Sequence, residues 1–132
     1  MIVLRTAKEI DMMRKACQIS AEALQLAGES VKPGITTYEI DQIAYRYIKK
    51  QGAEPNFLNY NGFPATACIS INDEVIHGIP SKKRVLKEGD IVSIDLGAKV
   101  KAITVIMLLL SHAEQFPMKR SGCAIQPVRV FI

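Results

Sequence analysis

The chain has 132 residues, 48% of them hydrophobic and 23% charged, with a formal net charge of +4; this is the size and make-up of one globular domain able to bury a core without staples. Three widely spaced cysteines (Cys17, Cys68, Cys123) argue against a disulfide framework, no signal peptide is recognisable at the N-terminus, and the longest apolar run, VIMLLL, is far short of the ~20 residues that span a bilayer. Residues 1–100 carry 13 Lys+Arg and 12 Asp+Glu while residues 101–132 carry 4 and 1, so the excess charge lies in the last quarter and makes no basic nucleic-acid face; a cytoplasmic protein with neither membrane nor specific nucleic-acid partner is expected.

Two helices come first. Thr6-Ala-Lys-Glu9 has capping-box spacing, in which hydroxyl and carboxylate each satisfy a free backbone donor. Ile10, Met13, Cys17, Ala21 and Leu24 then recur at three- and four-residue intervals as one apolar stripe, and Gly28 followed by Pro33-Gly34 is read as the stop. Thr36-Thr-Tyr-Glu39 is a second capping box, followed by Ile40, Ile43, Ala44, Tyr47 and Ile48 on one face. Lys49 and Lys50 suit the negative end of that helix and Gly52 the position beyond it.

From Ala53 the pattern turns to strands. Ala65–Ile71 is a β-compatible run closed by Asn72-Asp73, and Val75–Ile79 is read as another, closed by Pro80. Ile91–Leu96 alternates, with Ile91, Ser93 and Asp95 on one face and Val92, Ile94 and Leu96 on the other. Helices followed by strands predict a layered α/β or α+β domain. Residues 101–132 break the pattern: neither period is clean and one acidic residue remains.

Asp95 is the first chemical candidate. A carboxylate ending an apolar strand suits a metal ligand, because the strand aims it and apolar surroundings strengthen its charge; a polar residue on the open face of an edge strand fits the spacing equally well. His77, in INDEVIHGIP, could donate a hydrogen bond from a turn held by Gly78 and Pro80, or could be a solvent-facing loop histidine. Tyr60, Phe63 and Cys68 could line an apolar pocket or belong to ordinary core.

The stretches NYNGFPATACISINDEVIHGIP and LKEGDIVSIDLGAKV closely resemble type I methionine aminopeptidase, the short bacterial form, and the resemblance covers residues 1–100. It implies the N-terminal part of a pita-bread (creatinase/aminopeptidase-like) fold, a helix pair packed on a mostly antiparallel sheet. It also implies an enzyme that removes the initiator methionine from nascent polypeptides, with the ribosome as an expected place of action, and a monomer is expected. The cofactor implied is a pair of divalent metal ions (Co, Mn, Fe, Zn or Ni). Asp95 matches the family's first carboxylate ligand, His77 the histidine that contacts substrate near the scissile bond, and Tyr60, Phe63 and Cys68 positions around the methionine side-chain pocket.

The departure from the family is equally specific. There a second aspartate follows the first by eleven residues in a Gly-Tyr-x-Gly-Asp motif; here that position is Ile106. The family's later histidine and two glutamates have no counterpart within residues 1–132, so a single ligand of five is matched. The genetic code offers a reason. If each codon's last base is joined to the first two of the next from Lys101 onward, Ala102 permits glycine, Ile103 tyrosine, Val105 glycine, Ile106 aspartate and Leu108 alanine. Ser111 then permits phenylalanine, His112 proline, Glu114 glycine, Met118 aspartate and Lys119 glutamate. The string G-Y-x-G-D-x-A-x-x-F-P-x-G…D-E is the family's own. The expectation is therefore 1–100 as the N-terminal part of a catalytic domain and 101–132 as an out-of-frame tail, in a truncated chain without activity. The alternative is a non-catalytic peptide-binding fragment of the same fold. A phosphate loop at VSIDLGAK fits poorly, because Ala98-Lys99 stands where a hydroxyl residue belongs.

Overall fold

A computed structural model describes residues 4–101, 103–113 and 129–131, the last three and His112 by backbone only. Helix α1 (Ala7–Glu29) and helix α2 (Thr37–Lys50) lie on one side of an antiparallel sheet formed by β1 (Glu54–Pro55), β2 (Ala67–Ile71), β3 (Ile91–Val100), β4 (Ile103–His112) and β5 (Arg129–Phe131). Both capping boxes form, with Thr6 and Thr36 each accepting from the backbone N–H of the glutamate three residues on. β3 is the organising strand. One edge pairs with β2 along Val92–Leu96 and with β1 at Ala98–Lys99, and the other pairs with β4 at ten positions from Ile91↔His112 to Val100↔Ile103.

The core lies between the helices and one face of the sheet: Val92, Ile94, Leu96 and Ala98 from β3, Val105 and Met107 from β4, Ile40, Ala44 and Ile48 from α2. The alternation read along Ile91–Leu96 is thus the division between the helix-covered and the open face. On α1 the buried residues are Ala16, Ile19, Ser20, Ala23, Leu24 and Ala27, while Ile10 is exposed and Met13, Cys17 and Ala21 lie at the margin. The apolar stripe expected there is rotated toward small residues, because alanines let the helix axis approach the sheet closely.

Three further expectations are corrected. Gly28 lies inside the last turn of α1, and a Cβ on it would sit 2.4 Å from Leu109 Cδ2; its service is close approach to β4. Val75–Ile79 forms no strand, because His77 takes a φ of 61° and Gly78 is pressed against β2 instead. Residues Ile103–His112, read as lacking a period, form a full strand in which Val105 and Met107 are buried and Ile106 and Leu108 exposed. Alternation there is hidden in the letters because both faces carry apolar residues. Cys123 and positions 114–128 of the tail lie outside the described residues.

Candidate functional site

The open face of the sheet is built around Asp95. Cross-strand register puts Cys68 of β2 directly on one side of it and Leu108 of β4 on the other, and residues facing one another across a ladder share a face. One step along, Ser70 faces Ser93, and Gly97 faces Ile106. Ile106 is therefore a diagonal neighbour of Asp95 on the same face.

His77 reaches this face from the loop after β2. Gly78 donates its N–H to Ser70 Oγ at 3.1 Å, and its carbonyl accepts from Ile69 N at 2.8 Å. A Cβ on Gly78 would stand 2.1 Å from the Ile69 carbonyl oxygen, so only glycine permits this approach. Strapped down in this way, the loop holds exposed His77 at positive φ, a strained conformation of the kind kept where surroundings over-determine it. The loop's other end is tied by Glu74, which accepts from Ile71 N and pairs with Arg84.

Electrostatics at the site follow from burial. Half-buried Asp95 is held above the ordinary carboxylate range by desolvation, partly offset by the His77 charge. Among the described residues its carboxylate has no hydrogen-bond or salt-bridge partner, and its strand neighbours are a thiol and a leucine. Cys68 is buried, and desolvation first, then the Asp95 and Asp41 charges, push its thiol up to about 11. At neutral pH it is a protonated, inert group lining the face rather than a nucleophile.

The structure brings together Asp95, Cys68 and the His77 loop. Tyr60 and Phe63 belong to a separate turn. Tyr60 is 67% exposed in the short 3-10 turn Tyr60–Gly62. Phe63 is half-buried and meets Phe57 edge-on, with ring centroids 6.4 Å apart at 86°.

Two positioning residues escaped the reading of the sequence. Asp41 of α2, 3% exposed, accepts from the backbone N–H groups of Thr66 and Ala67, both at 2.8 Å through Oδ1, and so fixes where β2 begins, one residue before Cys68. Ser20 of α1 accepts from Ala98 N at 3.0 Å and donates to the Val105 carbonyl at 3.5 Å, inserting a hydroxyl between β3 and β4. Each lies on the buried stripe of its helix, Ser20 four residues after core Ala16 and Asp41 three residues before core Ala44. A polar residue on an apolar stripe was the available signal.

A dinuclear metal centre does not fit these side chains. Among the described residues no group of three His, Cys, Asp or Glu could hold a metal ion. The diagonal position that could add a second carboxylate beside Asp95 is an isoleucine.

Comparison with known proteins agrees with this architecture. A profile of metallopeptidase family M24 matches residues 11–110. Over 100 residues the chain is 53% identical to methionine aminopeptidase 1 of Bacillus subtilis, covering 76% of this chain and 40% of that protein. The crystal structure of methionine aminopeptidase from Rickettsia prowazekii superposes with a TM-score of 0.82 at 36% identity, over 87% of this chain and 46% of that one. For the Thermotoga maritima enzyme the values are 0.84 and 34%, over 89% and 47%. The chain thus spans less than half the length of each of these three relatives.

Proposed function

Because the chain belongs to metallopeptidase family M24, we propose that it derives from a methionine aminopeptidase, a hydrolase of the peptide bond after an initiator methionine, and corresponds to the N-terminal part of one. Identity near one-half to the Bacillus subtilis protein supports the substrate class. In this reading Asp95 is the inherited carboxylate ligand, and His77 is the inherited contact to substrate near the scissile bond. Tyr60, Phe63 and Cys68 are inherited from the surround of the methionine side chain. The working compartment is that of newly made polypeptides, the cytoplasm, and the metals are divalent ions of the Co, Mn, Fe, Zn or Ni group.

The present chain does not catalyse the reaction. The single observation that carries this is the pairing around Asp95, where Leu108 and Ile106 occupy the neighbouring positions of β4. A lone, half-buried carboxylate beside aliphatic side chains binds a divalent cation too weakly to activate water. We further propose that residues 101–132 arise from loss of one base near the Lys101 codon. The recovered string places aspartate at position 106, diagonal to Asp95 on the open face, where two carboxylates would share a metal.

An independent read of the DNA from the Ile94 codon through the stop and beyond tests the frameshift. A missing base near Lys101 and an uninterrupted frame downstream are expected; an intact present frame with no family-like alternative would overturn it. For activity, the purified chain with cobalt or manganese is expected to release no methionine from a short Met-Gly peptide. Metal-dependent release would refute the assignment of inactivity.

A further inference from the structure

β4 pairs with β3 at ten positions, but its other edge is covered by β5 at three: Ile106↔Phe131, Met107↔Val130 and Leu108↔Arg129. Among the described residues the rest of that edge has no strand beside it. Folded proteins blunt such edges with charges, prolines, bulges or very short strands. Ile103–Leu110 reads ITVIMLLL, with no charge and no proline, four β-branched residues in succession and then four long apolar ones. Ile106 and Leu108 stand 37% and 40% exposed on the open face.

We propose that the outer edge of β4 is a self-association surface, closed within the monomer by β5, and that its occupant when β5 leaves is β4 of a second copy. The seat of β5 demonstrates that this edge takes an antiparallel strand. Two identical β4 edges meeting about a two-fold axis are self-complementary and satisfy each other's backbone groups along the ladder. The ladder available between two copies extends over as many as ten residues, against three for β5, and no charge on Ile103–Leu110 opposes it. Stacking across the new ladder would also cover Ile106 and Leu108.

The test uses the full chain. In this register the backbones of Ile106 and Leu108 face β5, so Phe131 and Arg129 carry its ladder bonds. Phe131→Pro deletes an N–H that faces β4 and disfavours the pairing. Sedimentation velocity across a wide concentration range is expected to find the unaltered chain monomeric and Phe131→Pro dimerising roughly tenfold more tightly or better. Adding Leu108→Lys to Phe131→Pro places a charge on the edge and is expected to restore the monomer. Hydrogen exchange at low concentration reads the cap directly: protection around residues 106–108 should fall in Phe131→Pro while α1 and β3 keep theirs. The proposal is overturned if Phe131→Pro stays monomeric, if the unaltered chain dimerises equally well, or if Leu108→Lys fails to reverse association. A Phe131→Pro chain without helical circular dichroism would overturn it as well, because β5 would then be part of the core rather than a cap on a finished edge.

Discussion

Asp41 allows a sharp separation of acceptor from charge. Its Oδ1 receives two backbone N–H groups, of Thr66 and Ala67, whose residues are 1% and 0% exposed. Asp41→Ala removes the acceptor and leaves two buried donors stranded. At ~1–3 kcal/mol for each orphaned group, a loss of about 3 kcal/mol is expected, or a fall in Tm of roughly 10 °C for a domain of this size. Asp41→Asn keeps the Oδ1 acceptor in the same place. Its new amide would meet Gln42 Nε2, now 3.2 Å from Oδ2, and the Gln42 amide can turn over to accept, so the cost should stay within about 1 kcal/mol.

The two variants differ again with pH. Burial holds the Asp41 carboxyl above the ordinary range and outweighs the lowering by its hydrogen bonds. A raised pKa means that the folded chain binds the proton more tightly than the unfolded chain. That stabilisation is complete below the unfolded value, ~3.9, and is lost as pH rises through the folded value. Asp41→Asn lacks this titration, so its stability relative to the parent should improve as pH increases through that window and level off above it. Thermal unfolding followed by circular dichroism from acid to neutral pH measures both effects. Equal losses in the two variants would refute the acceptor argument, and an Asp41→Asn offset independent of pH would refute the assignment of a raised pKa.

Other expectations are as direct. Gly78→Ala should cost about 2–3 kcal/mol by driving a methyl into the Ile69 backbone, read as a lower denaturant midpoint; an unchanged midpoint would show that the loop yields freely. Ser20→Ala should cost about 1–3 kcal/mol, because the buried Ala98 N–H loses its acceptor, and faster exchange of that amide would identify the cause. With its thiol pushed up to about 11, Cys68 should alkylate at pH 8 with only ~1 in 1,000 molecules as thiolate. Asp95→Asn should speed that reaction by removing one of the charges that raise it, as followed by peptide mass mapping. Alkylation of Cys68 at the rate of an unhindered free thiol would contradict the burial.

What the sequence alone determined was local and periodic. Both capping boxes, both helices and the two faces of β3 were legible because each depends on residues within a few positions of one another. Asp95 and His77 stood out because a charge in an apolar run and a histidine on a Gly-Pro turn are local anomalies. The tertiary structure decided what depends on separation across the chain. Which face of α1 is buried follows from how closely small residues let it approach β3 and β4, so Ala16, Ala23 and Ala27 displaced Ile10 and Met13 from the core. Gly78 needed the Ile69 backbone beside it before its role existed. Asp41 acquired its function from N–H groups 25 and 26 residues away. The segment after Lys101 shows the division most clearly: Ile103–His112, whose letters show neither period, pairs because β3 offers a ladder made of backbone, which any sufficiently apolar, unbroken segment can fill. A backbone template accepts many sequences, whereas a pair of carboxylates on one face requires particular ones.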